Sequence, residues 1–131
     1  MIHRSSQIYQ LRPEIKVEKP EQQHPHEVFQ NTVLRPIIKL QHELILRAVE
    51  NTPNFFSILA RVHTKEQYIR EIKPFIQSQV PFKNQMIGMI AGMMTLEEYD
   101  YYSANISEMN KRITQMIIQR IADTLYKESD N

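Results

Sequence analysis

The chain has 131 residues, 41% hydrophobic and 24% charged, with a formal net charge of +1. That is one domain's length with enough apolar material for a core, and no global field that draws it to nucleic acid or a membrane surface. It contains no cysteine, which excludes disulfides, thiolate chemistry and cysteine-based zinc sites.

The N-terminus, "MIHRSSQIYQLRPEIK", has no apolar h-region, so a secretory signal is not expected. No apolar run approaches the ~18–20 residues of a membrane span. A cytoplasmic location is the expectation. Residues 1–25 hold Pro13, Pro20 and Pro25. Proline removes a backbone donor and pushes its predecessor toward extended geometry. An extended or partly disordered arm is expected over 1–25, with Ile15 and Val17 alternating as in a short strand. A helical domain follows over 26–131.

From "HEVFQNTVLRPIIKLQHELILRAVEN" the apolar period is helical: Val33/Leu34, Ile37/Ile38, Leu44/Ile45 and Ala48/Val49. Thr32 or Asn31 is placed to cap this helix with Pro36 near its first turn. Gln41 falls on the apolar stripe. "ENTPNFF" reads as a stop and restart, and a short apolar helix begins near Asn54. Thr64 to Gln67 fits a capping box. The helix it opens carries Tyr68, Ile69, Ile72 and Ile76, and Pro74 is expected to kink or break it.

Both glycines of the chain lie in "MIGMIAGMMT". Gly88 and Gly92 are expected to allow close helix packing, Gly88 against the helix near Ile37 to Leu44. Gly92 has the alternative of a left-handed helix end. Thr95 to Glu98 is a second capping box. The C-terminal helix has a heptad-like seam of Tyr99, Tyr102, Ile106, Met109, Ile113 and Met116. Unbroken from 96 to 126 it would be about 45 Å long at ~1.5 Å per residue, longer than a compact body of this size needs, and its overhang would invite a second copy. The fold expected is all-α: a bundle of four to five helices with a long C-terminal helix and an extended N-terminal arm.

Chemistry-bearing patterns are few. His24 and His26, with Glu21 and Glu27 nearby, have no second cluster at a diagnostic spacing, and "HELIL" at His42 lacks the second histidine of a zinc peptidase motif. Glu97, Glu98 and Asp100 occupy a helix first turn, where negative charge is favoured. No Gly-rich phosphate loop is present. No metal and no cofactor is expected. Residues 35–83 carry eight Lys/Arg against four Asp/Glu. Arg61, Lys65, Arg70, Lys73 and Lys83 give the 61–83 segment a basic face, the basis of a nucleic-acid reading that the neutral total charge disfavours. Arg35, Gln41, Asn84, Asn110 and Arg112 are the candidates for a polar cluster between helices, because a buried amide needs partners.

"FQNTVLRPIIKLQHEL", "FKNQMIGMIAG" and "TLEEYDYYSANISEMNKRI" together resemble a group of short bacterial helical proteins, over residues 27 to 126. Some members of that group carry a glyoxalase label. Glyoxalase I enzymes are built from βαβββ units with His and Glu metal ligands on strands, and this helical pattern shows no such strands. The resemblance supplies no functional residues. The leading expectation is a non-enzymatic interaction protein that self-associates through its C-terminal helix, as a homodimer or with another protein. The alternative is a small enzyme or ligand-binding protein with a polar pocket between helices.

Overall fold

The computed structural model describes residues 3–13 and 24–126, and among them the chain is all-α. In order, α1 is Arg4–Leu11 and α2 is Pro25–Phe29. A π-helical turn spans Gln30–Leu34. Then come α3 Arg35–Leu40, α4 His42–Glu50, α5 Phe55–Leu59, α6 Lys65–Ser78, α7 Val80–Ala91, α8 Leu96–Ala104 and α9 Ile106–Tyr126. Among these residues no helix is long and apolar enough to cross a membrane.

Local chemistry accounts for most boundaries. Both capping boxes form. The Thr64 hydroxyl accepts from the Gln67 N–H at 3.1 Å while the Gln67 side-chain oxygen accepts from the Thr64 N–H. Thr95 and Glu98 repeat the arrangement at 3.2 and 2.8 Å. Each box satisfies two helix-start donors that would otherwise be orphaned. Asn54 turns the chain from α4 into α5 with φ 68°, a left-handed conformation that asparagine tolerates better than most residues.

Pro74 does not end α6, which runs through it to Ser78. The break comes at Gln79, and Pro81 then sits in the first turn of α7, where a missing N–H costs least. Thr32 and Asn31 are not caps. The helix begins earlier, at Pro25, with His24 as its cap, and the Thr32 hydroxyl donates to the Val28 carbonyl at 2.7 Å. Between them and Pro36 lies the π turn, where the Arg35 N–H reaches the Gln30 carbonyl five residues back. A proline ring crowds the carbonyl four residues before it, and a widened turn just ahead of Pro36 relieves that crowding.

The core runs along α9, which packs against α6 and α7. Met109, Ile113, Ile117, Ile118, Ile121 and Ala122 are all buried, against Tyr68, Ile72, Ile76, Met86 and Ile90 of α6 and α7 in one cluster. The C-terminal helix is long, about 32 Å for its 21 residues at ~1.5 Å per residue. It is not continuous from 96: Asn105, at φ −132° and ψ 36°, separates α8 from α9. That break resets the helical phase. Tyr102, Met109 and Ile113 are buried, whereas Tyr99 and Ile106 are exposed, so the expected seam is not one face. The apolar side of α9 lies inside this chain from Met109 to Ala122, while Ile106 and Leu125 near its two ends are exposed.

The N-terminal arm also departs from expectation. Its 4–11 segment is helical, not extended; the strand-like Ile15–Val17 pattern lies outside the described residues. Ile8 of α1 is buried, and two arginines tie α1 to the turn between α7 and α8. Arg4 donates to the carbonyls of Gly92 and Met94, and Arg12 donates to the Met93 carbonyl at 3.0 Å. Arg12 also forms a buried ion pair with Glu98, with one of its bonds at 2.7 Å. These bonds satisfy carbonyls that the end of α7 leaves without helical partners. Burial pushes the Glu98 carboxyl up. Hydrogen bonds from Arg12 and from the Thr95 N–H, with the Arg12 charge, outweigh that and hold it below its ordinary value.

The glycines correct the close-packing expectation. Gly88 is exposed, and a Cβ built there meets nothing within 4 Å. Gly92 keeps right-handed dihedrals, φ −64° and ψ −17°, so it is not a left-handed cap. A Cβ on Gly92 would lie 3.0 Å from the Gly88 carbonyl oxygen of its own helix. What Gly92 presents is its carbonyl, which Arg4 uses.

A cationic cleft as candidate functional site

The π turn, α3 and the start of α4 form one wall of a cleft of about 720 Å³; the second half of α9 forms the other. Ligand pockets commonly span roughly 300–1,000 Å³. Ile38 and Met116 supply its apolar surface. The polar groups come in a definite arrangement. Arg120 of α9 donates through Nε to Nδ1 of His42 at 2.9 Å. Arg112 donates through Nη1 to the side-chain oxygen of Gln30 at 2.8 Å and through Nε to Glu108 at 2.9 Å. Arg35 lines the same cleft and makes no ion pair among the described residues.

The electrostatics favour a negative guest. Burial lowers the Arg120 pKa, the Arg35 charge lowers it further, and Asp123 opposes both. Asp123 is itself engaged: it pairs with Lys65 and accepts from the Gln119 amide at 3.0 Å. Its carboxyl is held below the ordinary value, first by the Lys65 hydrogen bond. The His42 pKa is lowered by burial and then by Arg120, with Glu43 opposing. The imidazole is therefore neutral near pH 7. With Nδ1 accepting, its proton sits on Nε2, which remains a donor. With its side-chain oxygen engaged by Arg112, Gln30 has an amide NH₂ left to donate. Two guanidiniums, a neutral histidine and an amide face a shared space whose one lining carboxylate among the described residues, Asp123, is already paired with Lys65.

The five residues expected to form one polar pocket do not converge. Arg35 lines this cleft, and Arg112 reaches it through Gln30. Gln41 is elsewhere: its amide donates to the Met89 carbonyl at 3.0 Å, which fastens the α3–α4 break to α7. Asn84 and Asn110 line a second cleft of about 520 Å³ with Lys73, Lys83 and Lys111. There the side-chain oxygen of Asn110 accepts from the Tyr102 hydroxyl, and burial is the main cause raising the Tyr102 pKa. The basic 61–83 segment is likewise divided. Lys65 pairs with Asp123, and only Lys73 and Lys83 turn to the second cleft. His26 places Nδ1 2.6 Å from the Tyr101 hydroxyl. Among the described residues no group of three His, Cys, Asp or Glu is placed to hold a metal ion.

Sequence reasoning missed His42, Arg120, Gln30 and Asp123 as a set. His42 and Arg120 are 78 positions apart, and neither carries a local motif. The one available signal was Gln119-Arg120 interrupting the apolar run Ile117, Ile118, Ile121, Ala122. Comparison of the chain with protein-family models, with curated proteins and with solved structures finds no match. A functional reading therefore rests on the chemistry of these clefts.

Proposed function

We propose that this chain is a small-molecule-binding helical protein whose ligand presents a carboxylate or phosphate group to the cleft between α3–α4 and α9. The observation that carries the reading is the approach of Arg120 to Arg35 and to a neutral His42, with Asp123 already paired. Guanidinium forks bind planar or tetrahedral oxyanions with two parallel hydrogen bonds. The Nε2–H of His42 and the amide of Gln30 add neutral donors, and Ile38 and Met116 suit a small apolar portion of the ligand. An interaction protein that self-associates through the C-terminal helix is the leading expectation from sequence. Burial of that helix's apolar positions from Met109 to Ala122 within one chain favours the ligand-binding alternative.

The test is local. Imidazole resonances of His42 are followed as orthophosphate, then acetate, replaces chloride at constant ionic strength. Saturable movement is expected, and Arg120→Gln should weaken it by about tenfold or more, the equivalent of about 1.4 kcal/mol. Resonances that stay still in both salts, or move equally in Arg120→Gln, would overturn the reading.

A further inference from the structure

The second cleft lies between α6, α7 and the first half of α9, on roughly the opposite face of α9 from Arg120, given about 100° per residue. Lys73, Lys83 and Lys111 come from three different helices to line it, and among the described residues its lining contains no Asp or Glu. None of the three forms an ion pair among the described residues. Glu108, the acid nearest Lys111 on α9, is engaged by Arg112. Like charges gathered from separate helices cost stability unless something between them is negative.

We infer that this second cleft is a binding site for a compact, multiply phosphorylated small molecule, independent of the cleft at Arg120. Charge favours a polyanion: among the described residues no carboxylate lines the cleft with the three ammonium groups. Lysine ammonium groups act on phosphate as movable point charges, which suits clustered phosphates better than one planar carboxylate. Asn84, Ser107 and Gln77 add neutral donors around them. Asn110, its oxygen engaged by Tyr102, has its NH₂ left to donate. A nucleic-acid strand fits less well. Among the described residues no aromatic side chain lines the cleft and Ile87 is its one aliphatic lining residue, so they offer nucleobases no stacking platform. Nor does the basic surface continue along α6. Glu66 shares the α6 face of Arg70 and Lys73 by helical spacing, and Lys65 is paired with Asp123. The charge is concentrated rather than drawn into a track.

Calorimetric titration of the full chain with inorganic tripolyphosphate and with orthophosphate tests this, at constant ionic strength. Tripolyphosphate should bind saturably and on the order of tenfold tighter than orthophosphate. In the Arg120→Gln background, where the other oxyanion cleft is weakened, tripolyphosphate affinity should stay within about twofold of the tightest wild-type step, and adding Lys73→Gln/Lys111→Gln, folded by circular dichroism, should lower it by about tenfold or more. Because Arg120→Gln reads the other cleft, failure of one site is distinguishable from failure of the other. No saturation at ~1 mM tripolyphosphate, where ordinary metabolite sites are filled, would overturn the inference. So would equal affinity after the lysine changes in that background, or loss only in Arg120→Gln. A single-stranded oligonucleotide binding more tightly than tripolyphosphate would replace the site with a backbone-tracking surface.

Discussion

Glu98→Gln isolates the charge that holds α1 in place. The amide keeps an oxygen able to accept from the Thr95 N–H, so the capping box survives while Arg12 loses its counter-charge. Removing one member of a buried pair costs about 3–5 kcal/mol when the other stays buried. Here Arg12 has an escape, because α1 can leave the surface and rehydrate it. Undocking forfeits the burial of Ile8, about 2 kcal/mol, and the carbonyl bonds of Arg4 and Arg12, about 1 kcal/mol each. The backbone freedom that α1 regains offsets part of that loss. The smaller of the two costs governs, so we expect a loss of about 1–3 kcal/mol, with α1 free in the variant. Urea denaturation gives the stability, and hydrogen exchange of a peptide covering 3–13 gives the docking. An unchanged midpoint, or slow exchange retained in that peptide, would refute the reasoning. The wild type should show the same release in acid. The folded carboxyl lies below its ordinary value of 4.5, so its contribution is complete above that value and is lost as pH falls through the lowered one.

Three further outcomes follow from the geometry. Gly88→Ala should stabilise by about 0.5–1 kcal/mol, since an exposed helix-interior glycine with open space at its Cβ gains only from the change; a lowered melting temperature would mean that α7 meets a neighbour there. His42 should titrate below its ordinary 6.5, so its contribution to stability is present above 6.5 and lost as pH falls below it; an imidazole titrating above 6.5 in the free protein would contradict the Arg120 contact. Bound phosphate should raise that value, because an anion beside the ring favours its charged form; a titration that phosphate leaves unmoved would place the anion away from His42.

What was legible in the sequence was what neighbours decide. Thr64 and Thr95 carry their capping partners three residues away, so both helix starts could be read directly. The all-α class, and Met109 and Ile113 among the core positions of α9, follow from periodicity over a few turns. The break at Asn105 was hidden because Tyr102, Ile106 and Met109 keep helical spacing across it, so the letters read as one seam while the backbone changes phase. Gly88 and Gly92 suggested close packing by composition, but what faces a glycine is a tertiary fact. Pro74 predicts a kink or a break, yet α6 runs through it to Ser78 and the helix ends at Gln79, just before Val80-Pro81. The clefts were least visible. Arg35 comes beside Arg120 and His42 only when α3 and α4 meet α9, and Asn84 and Asn110 meet Lys73 only once α6, α7 and α9 are assembled.

The arginines that finish the α7–α8 corner lie 81 to 90 positions earlier in the chain. During synthesis α1 therefore leaves the ribosome long before its docking surface exists. Alone, an eight-residue helix is too short to persist in water. The α1 segment must wait, undocked, until residue 98 has emerged and Thr95 has opened α8. Its docking is then among the last events of assembly, and it closes a loop of nearly the whole domain.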